Sequence, residues 1–435
     1  MIPTKRFWWL VALGIPLAAL DAVLGVLWMA YAYDVLLILI AYVSGRMAPD
    51  WKHLRITRQF DPVLSVRVQN KIVVKFFNDG LETIKGRFRD EPPPQFLASN
   101  REFNVDVHPG AEVEVSYLLT PSERGTDFFR GSFMRIKCPL GLVDRQVKLA
   151  TEEEIRIYPN VLAMREFDFL NQKGKLNQLG IRKSRMRGLG SDFESLRDYT
   201  KGDEFRKIDW KASARRGKLI VRQYEQERNQ PVIICIDIGR RMLAEVDGIS
   251  KLDYVLDSLL MLAQAVSLAN DFVGLLVYSD VVKRYIPPRK GRNQLGFIIE
   301  AIHDLIPEPV ESDPAAAFSF LASRWKRRSL LVNFTDVEDP EEAFALTTAF
   351  GPVARRHVSL LARVSDPRLK ELFVKELESV DDLFLRTSAL LFISDRKKAT
   401  VALSAAGLHS LEAEPQDLAA ALVSFYFDVK EKALI

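Results

Sequence analysis

The chain reads as a doubly wound α/β domain at its carboxyl end, joined to a small β-sandwich and to two N-terminal transmembrane helices. Three observations carry this reading. Residues 7 to 43 are almost continuously apolar, residues 52 to 160 are written in short β-branched and aromatic segments, and from Pro231 onward strand and helix patterns alternate. A chain of 435 residues has room for two or three domains. Its 48% hydrophobic and 27% charged residues are ordinary for a globular protein.

In the first 48 residues only Asp21 and Asp34 interrupt the apolar text FWWLVALGIPLAALDAVLGVLWMAYAYDVLLILIAYV. One helix crosses a bilayer with about 20 residues. The run therefore suits a membrane hairpin with spans near 7–20 and 24–43 and with Asp21 and Gly25 at the turn. Lys5 and Arg6 precede it, Arg46, Lys52 and Arg55 follow it, and the turn carries no cation. By the positive-inside bias both ends face the cytoplasm, and the soluble parts are expected there too. A secretory signal would show a small-residue cleavage site, which is missing from this text.

Residues 52–160 predict strands at Leu64–Val68, Ile72–Phe77, Thr83–Phe88, Glu112–Leu119 and Phe128–Cys138, with Asn78-Asp79-Gly80 as a hairpin signal. Short strands at this spacing predict a β-sandwich. No set of catalytic groups falls in it, so it reads as a spacer or docking module.

Residues 161–230 form a basic connector. Between Asn171 and Gln230 there are 16 Lys and Arg against 8 Asp and Glu, a net +8 in a chain whose total is only +4. So small a total excludes a general nucleic-acid binder. The local excess suits a solvated face with internal ion pairs, or a surface for a phosphate, an anionic lipid or an acidic partner. Gly188-Leu189-Gly190-Ser191-Asp192 is a poor phosphate loop, since no strand leads into it and it lacks the GK[ST] ending. The two cysteines, Cys138 and Cys235, lie in strand-like runs and form neither a disulfide framework nor a zinc spacing, which fits a reducing compartment.

Residues 231–435 predict strands at Val232–Ile236, Phe272–Tyr278, Val281–Ile286, Ser329–Phe334 and Val358–Val364. Helices are predicted over 251–270, 295–305, 315–325, 340–350, 369–377, 381–405 and 417–427. The first strand stops at Asp237, a carboxylate at the edge of an open sheet where ligands usually bind.

The text around that strand carries a long motif: Phe193, Leu196, Arg197, Tyr199, Gly202, Asp203, Arg206, Ile208, Asp209, Trp210, Lys211, Ser213, Ala214 and Arg215. It resembles the bacterial family called domain of unknown function 58, as do Glu154–Asn160 and Pro139–Leu142 upstream. The resemblance implies a von Willebrand factor A-like domain, an association with MoxR-type AAA+ ATPases and a place in the bacterial inner membrane. It also implies a metal-ion-dependent adhesion site, whose first loop reads D-x-S-x-S. Here that loop is Asp237-Ile238-Gly239-Arg240-Arg241, so Asp237 is kept and both hydroxyls are lost. Ser312 and Asp336 offer further oxygens, giving a degenerate Mg²⁺ site at Asp237, Asp336 and Ser312, with Arg241 placed to neutralise the two carboxylates instead.

Within the motif, Arg197, Tyr199, Asp203, Arg206, Asp209, Trp210 and Arg215 mix alternating charge with aromatic rings. No His, Cys or activated hydroxyl completes a catalytic set beside them. We expect an ion-pair brace that clamps this extended arm onto the A-like domain with Trp210 as its apolar anchor, doubling as a partner-docking surface. The expected function is that of a non-enzymatic membrane-anchored adaptor, with no cofactor, that docks a MoxR-type ATPase or a client protein. The alternative is a metal-dependent hydrolase of a phosphate-bearing substrate using Asp237 and Asp336.

Overall fold

The computed structural model describes residues 1–24, 28–161, 163–164, 167–168, 192–200, 203, 205–225, 230–374, 379–432 and 434. The glycine-containing basic text from Lys173 to Gly190, together with Gly25 and Gly202, lies outside them. Two compact units form, Met1–Tyr158 and Pro159–Ile435.

The first unit opens with helices α1 (Lys5–Leu24) and α2 (Met29–Arg46). Asp21 is not a turn residue but part of the last turn of α1. Its carboxylate reaches across to accept from the Ala30 N–H at 2.7 Å, capping α2. The Tyr33 hydroxyl donates back to the Leu10 carbonyl at 2.8 Å, so two side-chain bonds pin the helices together. Trp8, Trp9, Trp28 and Tyr31 stand 60–75% exposed. Among the described residues one helical stretch, Met29–His53, is long and apolar enough to cross a membrane, with a mean hydropathy of 1.3.

The main strands of this unit, beside three two-residue ones at Ile2–Pro3, Leu64–Ser65 and Leu97–Ala98, are β1 (Leu54–Gln59), β2 (Asn70–Asn78), β3 (Ile84–Asp90), β4 (Glu102–Val107), β5 (Glu112–Thr120), β6 (Gly125–Lys137) and β7 (Val143–Tyr158). One sheet runs β1-β2-β5, and the other β7-β6-β3-β4. Side chains alternate cleanly: every second residue of β3 is buried. Ile72, Val74 and Phe76 from one sheet meet Ile84, Phe88, Met134 and Ile136 from the other in a single core. Across it the Phe76 and Phe88 rings pack edge to face at 4.9 Å. A buried ion pair joins the sheets: Arg58 of β1 donates to Asp90 of β3 at 2.6 Å, and Tyr117 of β5 donates to the same carboxylate at 2.7 Å.

In the second unit, β8 (Asp192–Asp198), α3 (Trp210–Arg216) and β9 (Ile220–Glu225) form a small two-stranded excursion. The main elements follow as β10 (Pro231–Asp237), α4 (Lys251–Leu268), β11 (Phe272–Tyr278), β12 (Val282–Arg289), α5 (Arg292–Ile302), α6 (Pro314–Arg324), β13 (Leu330–Phe334), α7 (Pro340–Ala354), β14 (Val358–Val364), α8 (Arg368–Val374), α9 (Val380–Ala405), β15 (His409–Ala413) and α10 (Pro415–Glu431). The sheet order is β12-β11-β10-β13-β14-β15, with every neighbouring pair parallel except β11 with β12.

Helices cover both faces of this sheet. Val232, Ile234 and Ile236 of β10 pack with α4, α5 and α10, whereas Ile233 and Cys235 pack with α6, α7 and α9. That explains why all seven residues of β10 are buried and why its sequence shows no alternation. On edge strand β12, Pro287 and Pro288 sit where the register with β11 shifts. Gly274 opposite is required by space, because a Cβ there would lie 2.8 Å from Pro288 Cγ and 2.9 Å from the Ile286 oxygen. Deep under the sheet, Lys430 of α10 bonds the fully buried Asp271 at 2.5 Å, and Tyr426 donates to the same oxygen.

Candidate functional site at the carboxyl edge of the sheet

β10 lies where the strand order reverses: the chain passes from it to β11 on one side and later returns to β13 on the other. The carboxyl ends of β10 and β13 flank the crevice that such a reversal opens. Asp237 and Asp336 both sit there, 1% and 2% exposed.

The Asp237 carboxylate is satisfied by neutral donors. The Gly239 N–H and the Ser312 hydroxyl donate to Oδ1, the former at 2.8 Å, and the Thr335 hydroxyl donates to Oδ2 at 2.5 Å. The loss of the loop's first hydroxyl therefore has a compensation that only the structure reveals. A Cβ on Gly239 would overlap Ser312 Oγ, so the Ser312 hydroxyl occupies the space a side chain at position 239 would take.

Asp336 is paired with two cations. Lys251 Nζ lies 2.5 Å from Oδ2 and Arg396 Nη2 lies 2.8 Å from Oδ1. Burial pushes the Asp336 pKa up, but the charges of Arg396 and Lys251 outweigh it and hold the carboxyl below its ordinary value. Behind Arg396, the buried Arg363 donates to the Val337 carbonyl at 3.0 Å and meets Glu412 of β15 at 3.2 Å.

Arg241 does not play the part the sequence suggested. Its guanidinium meets Glu342 at 2.6 Å and Glu311 at 3.0 Å, and touches Asp336 only through the backbone oxygen, at 3.3 Å. The neutralising charges come from Lys251 and Arg396 instead. A divalent ion fits this arrangement poorly, since it would have to displace two buried cations from Asp336 and two hydroxyls from Asp237. Among the described residues no group of three His, Cys, Asp or Glu side chains is arranged to hold a metal.

Sequence reasoning passed over Lys251 and Arg396, though each left a signal. Lys251 is the first residue of α4, directly after the N-cap Ser250, where the helix dipole disfavours a cation. Arg396 shares the buried stripe of α9 with Ala389, Ala399 and Leu403. A charge in either position needs a buried carboxylate to meet it.

The motif segment folds largely on itself. β8 and β9 pair antiparallel, and Ile208, Ile220 and Val221 are buried beside them. Asp209 caps α3 by accepting from the Ala212 N–H at 2.9 Å, and Gly217 closes the helix in the left-handed conformation, φ 66°. Arg197 forks onto Asp203, with Nη1 to Oδ2 at 2.9 Å and Nη2 to Oδ1 at 2.5 Å. The guanidinium and the Thr200 N–H together hold the Asp203 pKa down to about 2. Lys218 meets Asp198 at 2.6 Å.

The brace thus stiffens the excursion from within, and Trp210 does not anchor it. Trp210 is 65% exposed, as is Phe205 at 69%, and the Phe205 ring lies 5.9 Å from that of Tyr199. Arg206 and Arg215 are exposed as well. The apolar anchoring falls to Ile208 and Ile220.

Fold and site together define a mostly parallel α/β unit whose edge carboxylates are internally paired, preceded by a stiff excursion with exposed aromatics. Residues 195–397, from β8 into α9, match the family model described as "Protein of unknown function DUF58". An uncharacterized protein of Mycobacterium tuberculosis is 26% identical over 187 residues, 42% of this chain and 58% of its own length. The uncharacterized protein YeaD of Bacillus subtilis is 26% identical over 124 residues, 28% of this chain and 30% of its own. The chain thus spans little more than half of the mycobacterial relative. Among solved structures, the conserved hypothetical protein BatB from Bacteroides thetaiotaomicron aligns with 47% of this chain and 99% of its own at 14% identity and a TM-score of 0.29. A CARDB domain from Pyrococcus furiosus, crystallised with di-metal ions, aligns with 25% of this chain at 15% identity and a TM-score of 0.18.

Proposed function

We propose that the protein is a membrane-anchored, non-enzymatic adaptor that docks a partner protein through the family motif. The observation that supports this most is the exposure of Phe205 and Trp210, at 69% and 65%, on a segment stiffened by the Arg197–Asp203 fork and the Asp209 cap. Large apolar rings held out by a pre-organised frame, with Arg206 and Arg215 nearby, are the usual anchors of protein interfaces. The resemblance of the motif suggests a MoxR-type AAA+ ATPase, or a client it remodels, as the partner. In this reading the larger sheet is a doubly wound von Willebrand A-like one and the first unit's two sheets are a β-sandwich. α1 joins α2 as a second span in a bacterial inner membrane, with the soluble parts on the cytoplasmic side. The carboxylates at the sheet edge serve structural roles, Asp336 as an ion-pair partner and Asp237 as an acceptor for neutral donors.

The test is co-purification of the full-length chain from native membranes. The ATPase is expected to accompany the wild type and to be lost from Trp210→Ala and Arg206→Glu variants whose thermal unfolding is unchanged. Retention of the ATPase by both variants, or its absence from the wild type, contradicts the reading.

A further inference from the structure

The turn between β6 and β7 is built against α1 and α2. Cys138, Leu142 and Val143 form a small apolar cluster with Ala41 of α2, and Phe7, Leu10 and Ala48 pack around it. Leu10 lies five residues inside α1 and Ala41 five residues inside α2, about 7.5 Å along each helix at 1.5 Å per residue. Both belong to the apolar text of residues 7–43. The turn therefore does not stop at the helix ends but rises beside them. The direction of the chain agrees: Ile2–Pro3 pairs antiparallel with Asp144 and Val143, so it runs towards the apex of the turn and hands over to α1 there.

An irregular backbone can enter an apolar layer only if its polar groups find partners. Here the Gly141 N–H donates to the Cys138 carbonyl at 2.9 Å, and Pro139 has no N–H to satisfy. The Thr4 hydroxyl donates to the Gly141 carbonyl at 2.7 Å, and the Thr4 N–H to the Leu142 carbonyl at 2.9 Å. Over this paired backbone the apex presents Leu140, 51% exposed.

Cations surround that leucine. Lys5, Arg6, Arg46 and Lys137 are exposed at this end of the unit. Arg6 lies over the turn, its Nη1 3.2 Å from where a Cβ on Gly141 would sit. Among the described residues none of the four is ion-paired, and the acids beside them in the chain are Asp50 and Asp144. An exposed apolar tip ringed by unpaired cations matches the layering of a bilayer surface, where phosphates lie over acyl chains.

We propose that the β6–β7 turn is a membrane wedge: Leu140 enters the bilayer interface beside α1 and α2, and the four cations hold the phosphates of anionic phospholipids. This rests on the anchoring by both helices proposed above, which sets Leu10 and Ala41 below the headgroups.

The experiment places a spin label on the full chain in nanodiscs and reads its depth from collisions with oxygen and with a water-soluble nickel complex. Three exposed positions are compared, since the native Cys138 and Cys235 are buried. Leu140→Cys is expected at the boundary of headgroup and acyl chain, Leu36→Cys of α2 within the bilayer, and Leu97→Cys, at the other end of the β-strands, in water. Lipid retention by the purified full chain is measured separately by native mass spectrometry. The wild type is expected to keep phosphatidylglycerol in preference to phosphatidylcholine, and Arg6→Gln and Lys137→Gln each to lower that preference about fivefold. A Leu140 label in water while the Leu36 label is in the bilayer overturns the wedge and leaves the anchoring intact. A Leu36 label in water overturns both. Equal retention of the two lipids by the wild type overturns the phosphate contacts.

Discussion

Lys251 occupies a place where a helix of its own accord would choose an acid, and Asp336 explains why. Its ammonium and the Arg396 guanidinium are both nearly out of solvent, so the carboxylate between them is what makes their burial tolerable. Asp336→Asn strands both cations and is expected to cost about 3–5 kcal/mol, read as a lower urea midpoint. His357 is also held below its ordinary pKa, and its titration falls in a higher pH window. Burial and the nearby Arg356 and Arg328 lower its pKa from 6.5 to about 4, so the folded chain refuses a proton that the unfolded chain accepts. Stability is therefore expected to fall as pH drops from about 6.5 to about 4 and to level off below that window. In His357→Phe the urea midpoint should change less across that window than in the wild type.

At the scale of elements, the loop after β10 is organised by the space between Gly239 and Ser312. Gly239→Ala must push Ser312 away from Asp237 and is expected to destabilise by about 1–3 kcal/mol, measured by urea unfolding. The backbone at Gly239 is ordinary, φ −74°, so conformational strain contributes nothing to that cost. Much of the larger sheet was legible in the sequence. β10, β13 and β14 are fully buried parallel strands, and such strands print as unbroken apolar runs between turns. β15, with the text HSLEA, is short and half-buried, and its pairing with β14 comes from tertiary context that no window reports. β1, β4 and the 16-residue β7 were also missed, although EFNVDV in β4 does alternate. At the site the sequence supplied the carboxylates and the Ser312 hydroxyl but not their partners, because Lys251 and Arg396 lie 85 and 60 residues from Asp336. Trp210 was misread for a related reason: a tryptophan among charges looks like an anchor until the smaller Ile208 and Ile220 are seen to fill that role.

Across the whole molecule, each unit has its own core and buried ion pairs, Arg58–Asp90 in one and, among others, Lys430–Asp271 in the other. Two separable unfolding transitions are expected in calorimetry. Asp90→Asn should lower one of them and Asp271→Asn the other, and a shift of both by either change would contradict independence. β12 adds a constraint on how copies of this chain behave in a crowd. Its outer edge would offer a row of amides to a passing strand, yet the Pro287–Pro288 bulge interrupts it with residues that have no amide to donate, and Lys283, Arg284 and Arg289 line the same short strand. Copies brought to high concentration cannot zip this sheet into a continuous ribbon along that edge. The fold carries a guard against fibril growth there, while its helices remain free to recognise other surfaces.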